Sequence, residues 1–388
     1  MRTLITTDCH VAAPYEVLDE LPAQYRDWFE RVVHRDVGDY VEGPPSGGMT
    51  GAGHSETQIG PGAPGGPLRS SLVNHAVGAS AEARPSFEPA EVLADLAREN
   101  VLGAVLITPQ LDFNPDRPLD ADVAYCRLMN DWNAEQWAPY LDRVAPGIVL
   151  PARDVAATVK ELERAAAKGL RPALMPDALS DVPYYSSEWE PFWEAANALQ
   201  IPITMHIGSG QVSSSSGSAG MTAAALDNLK GAALVGWYQQ CLAMGGTLGW
   251  LTFSGVFERH PDLHVIMTEG YAGWIAFAMQ FWDHHFDSRF MEQHPLNTMF
   301  AEQPPLEMLP SYYLKRQAHA TFMWDPVAVA LREFTGTDCL LWGNDYPHPE
   351  GSFPWSQEWI DKQFAGVSDE DVEAMTRGNA ARLFKINV

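Results

Sequence analysis

Five side chains of this 388-residue sequence are of the types that hold transition-metal ions, and each stands where a short apolar run ends. Asp8 and His10 form an Asp-x-His triplet after the run Thr3 to Thr7. His206 follows Ile201 to Met205, Glu269 follows Leu263 to Thr268, and Asp345 follows Cys339 to Trp342. Alternation along an extended chain turns Asp8 and His10 to one side and Cys9 to the other. Brought into one cleft, three carboxylates repel one another, raise their own pKa values and destabilise the fold unless a cation compensates. Imidazole mixed with carboxylate suits zinc, manganese, iron or cobalt, whereas magnesium and calcium prefer all-oxygen shells. An Asp-x-His triplet is common by chance, and a lone strand-end His or Asp is ordinarily hydrogen-bonded structure. The convergence of five such groups is what points to a divalent transition metal.

The elements that must position them follow from the order of patterns. Strand-type runs at Thr3 to Thr7, Val101 to Thr108, Arg143 to Leu150, Leu170 to Met175, Ile201 to Met205, Leu263 to Thr268, His319 to Met323 and Cys339 to Trp342 alternate with helical stretches. Among these stretches are Pro89 to Glu99, Asp120 to Tyr140, Leu226 to Gly245 and Gly273 to Phe286. Eight strands alternating with helices predict an α/β fold, a (β/α)8 TIM barrel, as a single domain over residues 1–388. In such a barrel the carboxyl ends of the strands meet at one mouth. Two insertions belong at that rim. One covers about residues 38–87 after the first strand and holds Pro44, Pro45, Pro61, Pro64 and Pro67. The other is the Gly/Ser loop Gly208 to Gly220 with Ser213 to Ser216. Each reads equally as a lid or as a plain surface loop.

Two further residues are candidates for substrate contact. Arg153 closes the third strand in Leu150-Pro151-Ala152-Arg153, where it is a bidentate clamp for a carboxylate or one half of a surface ion pair. His348 lies three residues beyond Asp345 in a Pro-rich turn that also holds Glu350, placing both to orient the site. Trp274, Phe277, Phe281 and Trp282 have helical spacing and read as core or subunit interface. Neither a nucleophile elbow around Ser213 to Ser216 nor a phosphate-binding loop is present.

Charge and composition narrow the partners. A net charge of −25 repels phosphate backbones and anionic membranes, so no nucleic-acid or membrane partner is expected, only a small-molecule substrate. A 46% hydrophobic content with 13 Trp, 16 Phe and 12 Tyr suffices for a large core. Cys9, Cys126, Cys241 and Cys339 are scattered, the opening Met1-Arg2-Thr3-Leu4 begins no signal-type run, and no span reaches ~20 apolar residues; a cytoplasmic location is expected.

The Asp-x-His opening, His206 after an apolar strand, the block Phe253 to Leu263, the segment Trp342 to His348 and the closing Asn379 to Phe384 resemble the amidohydrolase-related branch of the amidohydrolase superfamily. Its characterised members include aminocarboxymuconate semialdehyde decarboxylase and benzoate-type non-oxidative decarboxylases. The resemblance implies that Asp8, His10, His206 and Asp345 are metal ligands and that a metal-activated water serves hydrolysis or non-oxidative decarboxylation. It also implies a proton-shuttling role for Asp345, and a homodimer. One departure stands out: where the decarboxylases place an acid/base histidine followed by Gly-Gly, this sequence reads Glu269-Gly270-Tyr271. A carboxylate reproduces a neutral-pH imidazole only if burial raises its pKa. Glu269 is therefore either the catalytic replacement or a further metal ligand. The fourth strand ends in Leu174-Met175-Pro176-Asp177 without a lysine, so the carbamylated-lysine bridge of two-metal relatives is not available and a second metal would need Glu269 or Asp8. In that respect the set also resembles the di-iron monooxygenase of platensimycin-type diterpenoid biosynthesis. The cofactor expected is thus one zinc, manganese or iron ion, or two irons serving hydroxylation of a terpenoid-like substrate.

Overall fold

The structure, a computed structural model, describes residues 1–11, 13–26, 28–29, 88–111, 116–176, 182–209, 232–286, 306–348 and 351–388. The first expected insertion and all of the second beyond Ser209, together with Asp177 and Glu350, fall outside these residues.

Nine strands run in chain order: β1 (Leu4–His10), β2 (Val101–Ile107), β3 (Val144–Pro146), β4 (Ile148–Val149), β5 (Ala173–Pro176), β6 (Ile203–His206), β7 (Val265–Thr268), β8 (Ala318–Phe322) and β9 (Leu340–Trp342). Every pairing is parallel, in the order β1-β2-β3 and β4-β5-β6-β7-β8-β9. β3 and β4 are halves of one staff, the expected third strand, interrupted at Gly147. A side chain there would meet Leu174 of β5 at 2.6 Å, and the Gly147 N–H still donates to Leu106 O at 2.9 Å. The ring closes where Cys9 bridges Tyr346 and the Thr7 hydroxyl donates to Trp342 O at 3.0 Å. Gly343 permits that closure, because a Cβ on it would lie 2.7 Å from the Asp8 Cβ. The eight staves with helices between them make the (β/α)8 barrel that the alternating pattern predicts.

The strands read as apolar runs because they are buried on both faces; in β2, VLGAVLI, six of seven residues are fully buried. The helices are one-sided. Val155–Ala166 starts on Asp154, whose carboxylate accepts from the Ala157 N–H at 2.7 Å, and it buries Leu162 and Ala165 against the barrel. Truncating a core leucine such as Leu162 costs about 2–5 kcal/mol.

One helix departs from expectation. It spans Ala232–Phe253 rather than ending at Gly245. Glycine there serves packing and not termination: Cβ atoms on Gly245 and Gly249 would stand 3.3 Å from Trp274 and 3.0 Å from Trp282 of the neighbouring helix Trp274–Phe286. The aromatic cluster of that neighbour is accordingly split, with Trp274 and Trp282 packed against the core and Phe277 and Phe281 exposed.

Candidate metal centre

Asp8 and His10 project from the carboxyl end of β1, and His206 is the last residue of β6. Glu269 follows β7 directly, while Asp345 stands three residues beyond β9. Both of these carboxylates sit on left-handed backbone, with φ of 60° at Glu269 and 53° at Asp345. Such a conformation costs a non-glycine residue about 1–3 kcal/mol and persists only where the surroundings enforce it.

At Asp345 the enforcement is visible. The Asn344 N–H donates to Thr6 Oγ1 at 2.9 Å, the His10 N–H to Tyr346 O at 2.6 Å, and the His348 N–H to Asp345 O at 2.9 Å. Gly351 lets the turn wrap tightly, since a Cβ on it would lie 2.6 Å from Asn344 O and 2.8 Å from Asp345 O.

The five side chains converge. His10 Nε2 lies 3.3 Å from Asp8 Oδ1 and 3.3 Å from Asp345 Oδ1. His206 Nε2 lies 3.1 Å from His10 Nε2, 3.6 Å from Asp8 Oδ1 and 3.3 Å from Glu269 Oε2. One ligand atom from each of Asp8, His10, His206 and Glu269 falls within 4.8 Å of the others, and a second group, His10, Asp345 and His348, shares His10 with the first. His348 joins through Nδ1, 2.8 Å from Asp345 Oδ1, and its ring lies over His10 with centroids 4.0 Å apart.

These residues fit a divalent cation for two reasons of geometry. His206 Nδ1 stands 2.8 Å from Ile207 O. A carbonyl only accepts, so Nδ1 carries the hydrogen and the Nε2 lone pair faces His10. Meanwhile both oxygens of Asp8 and both of Asp345 are buried with no well-formed hydrogen bond, although imidazole nitrogens approach them. Lone pairs and carboxylate oxygens all directed into one space form an arrangement that only a proton or a metal ion completes. Since an imidazole nitrogen has one lone pair, His10 serves one ion, and a second ion would need a carboxylate bridge.

The electrostatics agree. Burial alone would raise the Asp8 carboxyl, but His10 and His206 hold it below its usual range. Burial likewise opposes the Asp345 carboxylate, and His348 and His10 keep it low. For His10 burial opposes the charge, and Asp345 and Asp8 prevail, pushing its pKa up to about 10. Without a metal, His10 thus holds a proton where a cation would stand.

Arg153 is placed elsewhere on the rim. Its Nη1 donates to Arg117 O at 2.7 Å and to Asp122 Oδ2 at 3.0 Å, and the buried Arg117 pairs with Asp122 Oδ1. Arg153 thus makes an ion pair, but with a buried carboxylate rather than at the surface. Sequence reasoning missed Tyr346 and Asp95, whose contact at 2.9 Å ties the Asp345 turn to the helix Pro89–Ala97. The adjacency of Tyr346 to Asp345 was the available signal.

Comparison with known proteins agrees with this architecture. A family model described as Amidohydrolase matches residues 8–386. A gamma-resorcylate decarboxylase of Polaromonas sp. (strain JS666) is 26% identical over 274 residues, covering 67% of this chain and 76% of the relative. Among solved structures, 5-carboxyvanillate decarboxylase from Sphingomonas paucimobilis superposes with a TM-score of 0.65 at 20% identity, covering 99% of each chain. A dihydroxybenzoic acid decarboxylase from Polaromonas sp. JS666, solved with manganese and the inhibitor 2-nitroresorcinol, superposes with a TM-score of 0.64 at 18% identity, covering 100% of this chain and 98% of that one. With the family match running from the first candidate ligand, Asp8, nearly to the last residue, the chain belongs to the amidohydrolase family.

Proposed function

We propose that this protein is a metal-dependent carboxy-lyase or hydrolase that removes CO2 non-oxidatively from an aromatic carboxylic acid or hydrolyses a related small substrate. The observation that carries the reading is the set of Asp8, His10, His206 and Asp345 at the barrel mouth, with four buried carboxylate oxygens that face only imidazole nitrogens and have no well-formed hydrogen bond. The decarboxylase relatives, one of them holding manganese, support the reaction class and the choice of manganese, zinc or iron.

A divalent ion held by these residues would supply Lewis acidity, polarising substrate oxygens and acidifying a bound water. The protein's own groups do the rest. Decarboxylation breaks the bond from carbon to carboxylate, leaves the electron pair on carbon and releases CO2, so a proton must be delivered to that carbon. Glu269 and Asp345 are assigned to hold and move this proton, Glu269 standing where the resemblance places an imidazole in decarboxylases. Arg153 belongs to a group of two guanidiniums around one carboxylate on the same rim, net positive, toward which a substrate carboxylate would orient. His348 is assigned to substrate contact from its place over His10.

The experiment is Glu269→Gln, with metal content and CO2 release from 2,6-dihydroxybenzoate measured together. Retained metal with a rate lowered by about 10²–10⁴-fold supports the proton role; lost metal makes Glu269 a ligand. The presence of a second ligand group, His10, Asp345 and His348, beside the first favours one alternative, a two-iron monooxygenase in which Glu269 or Asp8 would help to hold the second ion. Two irons per chain with substrate-dependent O2 uptake would establish it in place of the lyase.

A homodimer is proposed as well. Tyr238, Leu242 and Trp250 are exposed on a 22-residue helix without a charged residue, and Phe277 and Phe281 on its neighbour. Together they expose on the order of 500 Å² of apolar surface. That is more than half of the roughly 800 Å² per partner that a stable pair buries. The 22-residue helix bears no charged side chain, so two copies can meet along it on apolar surface alone. Sedimentation of the wild type and Phe277→Glu checks this: the wild type should be a dimer that the variant splits, and a monomeric wild type would refute it.

A further inference from the structure

The turn that carries Asp345 is clamped from outside the barrel by one helix. Tyr346 is 1% exposed, and its hydroxyl donates to Asp95 Oδ2 at 2.9 Å. The other oxygen of Asp95 accepts from Arg98 at 3.1 Å. Four residues after Asp95, the Glu99 carboxylate accepts from the Ser356 N–H at 2.6 Å and from its hydroxyl at 2.7 Å. Asp95 in the helix and Glu99, two residues past its end, thus hold the two ends of the segment from Tyr346 to Ser356. On the inner side, Tyr346 is joined to β1, whose His10 N–H donates to Tyr346 O at 2.6 Å.

From this we infer that Asp95 is a positioning residue: through the Tyr346 hydroxyl it holds Asp345 in the left-handed conformation that aims its carboxylate at the cation. The physical case rests on strain. Asp345 has a φ of 53°, which an aspartate relieves by rotating back unless its neighbours prevent it. The residue after it is pinned at three points: its N–H faces Asn344 Oδ1 at 3.3 Å, its carbonyl meets His10, and its hydroxyl meets Asp95. The first two lie within the turn and the adjoining strand. The third reaches a separate element, the helix Pro89–Ala97, so it fixes the turn relative to the rest of the molecule. Partners one step removed from a metal ligand orient it and typically contribute 10–100-fold to metal affinity.

This inference rests on the metal reading above, and the experiment separates the two. Zn2+ affinity is measured by competition with a chromophoric chelator for the wild type, Tyr346→Phe, Asp95→Ala and the double variant, alongside the thermal midpoint of each metal-free protein. Tyr313→Phe is the control: Tyr313 is equally buried and bonds the Glu307 and Met308 N–H groups and Glu258 far from the metal ligands. Tyr346→Phe and Asp95→Ala should each weaken Zn2+ binding about 10–100-fold, the double variant no more than the worse single, since one contact is lost in all three. Tyr313→Phe should lower the midpoint by a few degrees and leave Zn2+ binding unchanged. Wild-type Zn2+ binding retained by Tyr346→Phe, or additive losses in the double variant, would overturn the positioning role alone. A wild type that binds no Zn2+ would overturn the metal reading and this inference with it.

Discussion

The barrel has a histidine pair at each end, and the two pairs are built to opposite specifications. At the floor, His264 Nδ1 lies 3.0 Å from His319 Nε2, and His319 Nδ1 lies 2.9 Å from Asp338 O. Because the carbonyl accepts, His319 carries its hydrogen on Nδ1 and receives another from His264; the chain of donors and acceptors is complete. Burial then pushes the His319 pKa down to about 3, with His264 adding to the effect. At the mouth, His10 and His206 point nitrogens at each other across 3.1 Å beside Asp8 and Asp345, whose buried oxygens have no well-formed bond. Burial is equally present there, yet His10 rises to about 10 because Asp345 and Asp8 outweigh it. The same residue type is thus a finished structural part in one place and half of an unfinished one in the other. What separates them is the carboxylates beside the mouth pair, not burial.

The comparison breaks most sharply under substitution. His206→Ala should lower metal affinity by more than the roughly 100-fold that an outer partner contributes, because a ligand itself is lost. His319→Ala should leave metal affinity unchanged. A competition titration on both variants checks this, and comparable losses would erase the distinction between the two ends.

Acid and base should next pull the two ends apart. His319 has a folded pKa of about 3 against an ordinary 6.5. Its stabilisation is therefore complete above pH 6.5 and is lost as the pH falls toward 3. His10, raised from 6.5 to about 10, behaves oppositely in metal-free protein: its contribution is complete below pH 6.5 and is lost as the pH rises through 10. Each slope should amount to a few kcal/mol. Bound metal should abolish the alkaline slope and leave the acid one, since the cation replaces the His10 proton and touches nothing at the floor. Denaturant unfolding at pH 4.5, 7 and 9, with chelator and with excess Mn2+, measures both.

The smallest expected effect is at the floor. His319→Gln should destabilise by about 1–3 kcal/mol, the cost of leaving a buried partner poorly bonded, with the same value in chelated and metal-loaded protein. A value that changed with metal would couple the two ends.

Much of this was legible in the chain. Alternation points to Asp8 and His10, and position after an apolar run to His206, Glu269 and Asp345; the structure gathers Asp8, His10, His206 and Glu269 in one group and Asp345 in a second that shares His10. The barrel followed from eight alternating strand and helix patterns. What escaped was tertiary. Nothing local announces that Gly245 and Gly249 continue a helix, because the reason lies in Trp274 and Trp282 on another element. Nothing local announces left-handed backbone at Asp345, since the contacts that hold its turn come from β1 and from the helix Pro89–Ala97. Arg153 was correctly placed on the rim, but Asp122, which engages it, lies 31 positions away along the chain.

The most direct measurement of the central claim is metal content by mass spectrometry of wild type and His206→Ala, purified identically and exposed to excess Mn2+ before gel filtration. At least one transition-metal ion per chain is expected in the wild type and less than about a tenth of that in the variant, with unchanged circular dichroism. Equal metal in both proteins, or none in the wild type, would contradict the assignment of the barrel mouth as a metal centre.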